Sequence, residues 1–119
     1  MNLDSLPSQS VLDVAGTLAR FGGDQQLFRD ILEFYLEDAP PLMAELCRAA
    51  DVPHAAAVRS TAHALKGLVA GCGGIRAAQA AQRIEKAAAE GDLKDLAPLL
   101  EKLEIELDLL TQAAREHRG

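Results

Sequence analysis

The chain has 119 residues, with 12 Lys and Arg against 18 Asp and Glu, a formal charge of −6. That length bounds one domain whose core can stand without disulfide or metal staples. The acidity argues against binding nucleic acid, three Phe with one Tyr and no Trp give no stacking platform for single strands, and no run of about 18 apolar residues predicts a membrane span.

Residues 1–9, with Pro7 and several polar side chains, read as an N-terminal tail or linker. They lack the charged and apolar regions of a secretory signal. Cys47 and Cys72 lie in apolar helical contexts, which predicts reduced, mostly buried thiols in a cytoplasmic protein, with a disulfide between them as the alternative. Ser10 reads as an N-cap with Asp13 at N3, opening a short helix that runs to about Arg20. Gly22-Gly23 ends it and Asp24 caps the next. The second helix runs from about Gln25, with Leu27, Ile31, Phe34, Leu42 and Leu46 as its expected buried side. Pro40-Pro41 predicts a kink or a break in it, because each proline removes a backbone donor and crowds the preceding turn. Helix resumes through Ala49 or Ala50.

Asp51-Val52-Pro53 reads as the start signal of a third helix, which ends near Gly71 in the turn Gly71-Cys72-Gly73-Gly74. A fourth helix spans about Ile75 to Glu90, with Ala77, Ala81, Ile84 and Ala88 as its stripe; Gly91-Asp92 ends it. The last helix repeats Leu93, Leu96, Leu100, Leu103, Leu107, Leu110 and Ala114 at alternating steps of 3 and 4. With Asp95 as its cap, Pro98 falls at N3, where its missing N–H costs nothing, and 92–95 becomes a separate turn. Arg115 to Gly119 is expected to fray. No stretch alternates with period two, so no strand is expected. The fold class is all-α: an antiparallel up-down four-helix bundle over 10–114 with a short additional N-terminal helix. The leucine stripe also fits an intermolecular coiled coil, but the turn signals between helices favour an intramolecular bundle and a monomer.

The third helix carries the chemistry. Val58, Ala62, Leu65, Val69 and Cys72 recur in steps of 4, 3, 4 and 3, one buried stripe. His63 is one position off it, rotated by about 100° toward water. Arg59, Ser60, Lys66, Gly67, Ala70 and Gly71 share its face. Gly67 costs the helix roughly 1 kcal/mol relative to Ala. It does so where a side chain would shade the imidazole, which implies that something bulky approaches His63. Lys66 at i+3 puts an ammonium beside whatever arrives and favours an anion. A nucleophilic imidazole, an adjacent cation and an open approach suit a phosphoryl group. His54 and His117 read as ordinary surface or tail residues.

Ala62-His63-Ala64-Leu65-Lys66-Gly67, with Gly73 ten residues after the histidine, resembles the signature of histidine-containing phosphotransfer (HPt) domains of multistep phosphorelays. Phe21-Gly22-Gly23-Asp24 followed by Leu27-Phe28 resembles the start of that family's long second helix, and Ile84-Glu85 resembles a pair on the helix after the active-site helix. The resemblance covers roughly residues 10–110. It implies a two-component signal transduction phosphoprotein, a covalent carrier and not an independent enzyme. Its His63 would take a phosphoryl group through Nε2 from a receiver-domain aspartyl phosphate, becoming a phosphohistidine, and pass it to another receiver's aspartate. It implies charge stabilisation by Lys66, access through Gly67 and orientation of the imidazole by Glu85, with Gln82 as the alternative if the helix phase differs. Arg59, Ser60, Ala70 and Gly71 would form the receiver-docking face, together with the neighbouring end of the second helix. Partners would be response-regulator receivers or a hybrid sensor histidine kinase, with Mg²⁺ supplied by the receiver and no metal or cofactor held by this chain. Two other functions fit the same residues. One is a scaffold that docks a receiver without carrying phosphate. The other is the phosphorylation domain of a chemotaxis-type kinase. The tail-like start fits a domain cut from a hybrid kinase, and Met1 fits a free-standing protein.

Overall fold

Three of the helices start at a capping side chain that supplies an acceptor for otherwise unpaired N–H groups. In the computed structural model, which describes residues 10–118, α1 spans Val14–Arg20, α2 Gln25–Asp51, α3 Ala55–Gly71, α4 Ile75–Ala89 and α5 Leu96–Arg118. No strand occurs among the described residues. The tail expected at 1–9 and the terminal Gly119 lie outside them.

Asp24 caps α2 as expected, accepting from Leu27 N–H at 3.0 Å. The other two caps correct the sequence reading. Asp13, not Ser10, caps α1, accepting from Gly16 N–H at 3.0 Å. Its own N–H donates to the Gly73 carbonyl at 2.9 Å, so residues 10–13 are tied to a distant turn and do not begin a helix. At α3 the cap is His54, whose Nδ1 accepts from Ala57 N–H at 3.0 Å. Asp51 is the last residue of α2 and Pro53 precedes the cap.

Helix α2 departs from expectation twice more. It runs unbroken through Pro40 and Pro41. Both prolines are exposed, so water can serve the Leu36 and Glu37 carbonyls that they leave unbonded. The buried side is Phe28, Leu32, Tyr35, Ala39 and Leu46, one residue out of phase with the expected stripe over its first half. Leu27 and Phe34 are instead exposed, at 39% and 54%. The Tyr35 phenol decides the phase. From inside the core it donates to the Leu107 carbonyl at 3.1 Å and lies 2.9 Å from the Thr111 hydroxyl, so it is buried with its polar tip satisfied.

The other stripes hold. Val58, Ala62, Leu65, Val69 and Cys72 of α3 and its turn are fully buried, as are Ala81 and Ile84 of α4 and Leu103 and Leu110 of α5. Each fully buried aliphatic side chain of Val or Leu size contributes about 1.5–3 kcal/mol relative to exposure. Helix α3 packs against α2 and α4, and α5 closes the ring against α4 and α2. The short connections at 52–54, 72–74 and 90–95 make successive helices antiparallel. The leucine stripe is therefore satisfied within the chain. Cys47 and Cys72 are both free thiols.

Glu106 interrupts that stripe without breaking it. Its side chain is 2% exposed and bonded to Arg76 Nε at 3.1 Å and Lys102 Nζ at 3.3 Å, which joins α4 to α5. The end of α5 does not fray at Arg115: the helix continues to Arg118, the His117 ring lies 4.9 Å from Phe28, and Arg118 pairs with Glu33. Helix α1 straps the α3–α4 turn. Arg20 donates to the carbonyls of Ala70 (3.3 Å) and Gly71 (3.5 Å), the negative end of the α3 dipole. Gly73 has φ +95°, and a Cβ there would run into the Thr17 hydroxyl; both demands require glycine.

Candidate functional site

His63 projects from the middle of α3, its side chain 68% exposed. Its Nδ1 lies 2.8 Å from Glu85 Oε2 on α4. Glu85 Oε1 lies 2.6 Å from Lys66 Nζ, one turn along α3 from the histidine. One carboxylate thus engages both groups that the sequence singled out. Gln82 lines the neighbouring groove between α3 and α4.

The charge states follow from the contacts. Lys66, first, and the hydrogen bond from His63 hold the Glu85 carboxyl below the usual carboxylate range, against the opposing pull of its partial burial. An ionised carboxylate only accepts. Nδ1 must therefore carry a proton, so that in the neutral ring the lone pair sits on Nε2. The second shared contact keeps Glu85 from rotating away. A fixed tautomer and an exposed nucleophilic nitrogen are what acceptance of an electrophile at Nε2 demands.

The surroundings sort the other expected residues. Arg59 and Ser60 line a shallow cleft with Ala56, His63 and Glu85. Lys66, Gly67 and Ala70 line a second groove that runs toward α1, with Arg20 and Gln79 on its far wall. Gly71 closes α3, its carbonyl held by Arg20. A Cβ built on Gly67 or Gly71 would meet nothing within 4 Å. The Lys66–Glu85 pair puts α4 on one flank of α3. With about 100° per residue, the outward face from His63 round toward α2 presents Ser60, Ala64, Gly67 and Gly71. Nothing larger than serine stands there.

One part of the surface was missed in the sequence. Leu27 and Phe34, with half-buried Ile31 and Leu42, leave an apolar stripe along α2 outside the core. Residues 35, 36, 39, 43 and 47 of α2 line a groove shared with α5. By helical rotation the 27–34 stripe is on the opposite flank, the side of α3. Its signal was present as adjacent apolar doublets, Leu27-Phe28, Ile31-Leu32 and Phe34-Tyr35, of which only one member each can enter the core.

No group of three or more potential metal-binding side chains occurs among the described residues, and none of their helices is long and apolar enough to cross a membrane. No curated protein matches the chain. Among solved structures, histidine-containing phosphotransfer protein B (HptB) of Pseudomonas aeruginosa PAO1 superposes with a TM-score of 0.83 at 23% identity, over 91% of this chain and 94% of that one. The HPT domain of a sensor hybrid histidine kinase from Shewanella superposes with a TM-score of 0.79 at 24% identity, over 89% and 92%. These likenesses show the fold. The Hpt domain family model matches residues 30–116, which takes in all of α3, α4 and the site, and the chain belongs to that family.

Proposed function

We propose that this protein is a phosphorelay carrier whose His63 Nε2 takes a phosphoryl group from the aspartyl phosphate of one receiver domain and yields it to the aspartate of another. The carrying observation is the 2.8 Å contact between His63 Nδ1 and Glu85 on an exposed side chain, which assigns the proton of the neutral ring to Nδ1 and its lone pair to Nε2. The N–P bond forms as the aspartyl O–P bond breaks, and the reverse displacement passes the group on. The transition state of such a transfer is loose, so positioning and charge stabilisation dominate the chemistry. Lys66 supplies a cation one turn from the reacting nitrogen, and Gly67 leaves the approach open. The receiver supplies the Mg²⁺. The chain has no ATP-binding or autokinase role in this reading, works in the cytoplasm and acts as a monomer.

The docking face in this reading is the small-residue surface of α3, with Arg59, Ser60, Ala70 and Gly71 around it, continued by Leu27 and Phe34 on α2. An apolar centre with a polar rim suits a transient protein partner. The test is transfer from phosphorylated receivers to the wild type and to His63→Gln. Acid-labile, base-stable label on the wild type alone is the expected result. Binding of receivers without any transfer of label would overturn the carrier reading in favour of a docking scaffold.

A further inference from the structure

The contact between Glu85 and Nδ1 bears on the second half of the cycle as well as the first. When Nε2 attacks phosphorus, its lone pair becomes the N–P bond and Nδ1 still holds its hydrogen. The ring therefore becomes a phosphoimidazolium with one positive charge. If Nδ1 then lost its proton to water, the next transfer would have to expel an imidazolate, a far poorer leaving group. If the proton stays, the N–P bonding pair returns to Nε2 as the acceptor's carboxylate oxygen forms its bond to phosphorus, and the ring departs neutral. The chain places a carboxylate 2.8 Å from that hydrogen and anchors it through Lys66 at 2.6 Å.

We propose that Glu85 is a positioning residue for onward transfer: it retains the Nδ1 proton of phosphorylated His63, so that the phosphoryl group leaves from a protonated ring. The inference rests on the carrier reading for its biological meaning. The charged groups that face the ring are Glu85 from α4 and Arg59 and Lys66 from α3; α2 contributes no charged side chain to the cleft. The two cations oppose proton retention. Lys66 is already paired with Glu85, and in the phosphorylated state both cations have the phosphoryl oxygens to neutralise. Glu85 is the only anion among the residues lining that cleft. A glutamine in its place would keep a hydrogen-bond acceptor of the same shape and lose the charge, so that proton retention separates from orientation.

The experiment labels His63 with phosphoramidate, a small-molecule donor that needs no receiver, in the wild type and in Glu85→Gln. Loss of label is followed by phosphorus NMR from about pH 5 to about pH 10, across the range in which imidazoles titrate. Because glutamine lacks the charge that holds the proton, the wild type is expected to stay labile to a higher pH than Glu85→Gln, with helix content unchanged. Superimposable profiles would overturn the proposal and leave the carrier reading standing. A displaced profile in a protein that no receiver can label would overturn the carrier reading and leave proton retention standing. Failure of phosphoramidate to label the wild type would overturn both, since an exposed Nε2 with a held tautomer must react.

Discussion

Gly67 lies inside α3, one turn after His63, and a Cβ there would meet nothing within 4 Å. Its φ is not in the left-handed region, so no backbone demand explains it. Gly67→Ala is therefore expected to stabilise the fold by about 0.8–1 kcal/mol, the ordinary helix-interior difference. At roughly 2.1 cal/mol/K per residue the unfolding entropy of this chain is about 0.25 kcal/mol/K, so Tm is expected to rise by about 4 °C. Gly67→Phe is expected to raise it less, because aromatic residues are poorer helix formers than alanine. Transfer moves the other way. Side chains at i and i+4 of a helix stand about 5–6 Å apart at Cβ, so a phenyl group at 67 occupies the space that a receiver needs beside His63. Receiver-to-carrier transfer is expected to fall at least about tenfold, equivalent to 1.4 kcal/mol of barrier, in Gly67→Phe and less in Gly67→Ala. Labelling by phosphoramidate, which is small, should be unchanged in both. The assay pairs thermal unfolding by circular dichroism with quenched transfer of label. Wild-type transfer in Gly67→Phe, or a Tm that falls in both variants, would refute the claim that this glycine serves access.

Three further outcomes are expected. Lys66→Ala should slow transfer from a phosphorylated receiver while leaving the protein folded with its helix content intact; an unchanged rate would remove Lys66 from the mechanism. Phe34→Ser should weaken receiver binding about tenfold, the equivalent of about 1.4 kcal/mol, without loss of stability, because Phe34 is 54% exposed and not part of the core; calorimetric titration with a receiver would detect it, and equal affinity would exclude the α2 stripe from the docking face. Burial pushes the Cys72 thiol up from 9.0 to about 11 and the Tyr35 phenol from 10.0 to about 12. Both folded values are raised above the unfolded ones, so the stability tied to these neutral groups is complete below pH 9 and drains as pH climbs toward 12; urea midpoints that match at pH 8 and pH 10.5 would contradict this.

How much of this was legible in the sequence varies with the element. Helices α3, α4 and α5 each have one apolar stripe, and the structure buries it, except that Leu93 lies before α5 and it and Leu100 are half-buried. Helix α2 offers two stripes one residue apart, and local pattern cannot choose between them. The choice is made by Tyr35, whose phenol needs the Leu107 carbonyl 72 positions away. The cap of α3 was obscured because Asp51 and Pro53 supply the commoner signals, whereas the working acceptor is an imidazole nitrogen on His54. Glu106 would be an error in a core stripe on its own helix; Arg76, 30 positions earlier, makes it tolerable. Within the site, His63 and Lys66 share one helix and helical spacing relates them. Glu85 could be placed near them only through the family resemblance, since its position depends on how the 72–74 turn sets the pitch of α4 against α3.

That turn has a consequence for how the site comes into being. His63, Lys66 and Glu85 all belong to a single helical hairpin, with at most 22 positions between interacting groups. Closing so short a loop is cheap in chain entropy and fast compared with the long-range docking of α2 on α5. The contacts that define the reactive tautomer require nothing from α1, α2 or α5. The proposed chemical part of the molecule is thus kinetically local, whereas the proposed docking face spans α2 and α3 and exists only once the whole bundle has closed.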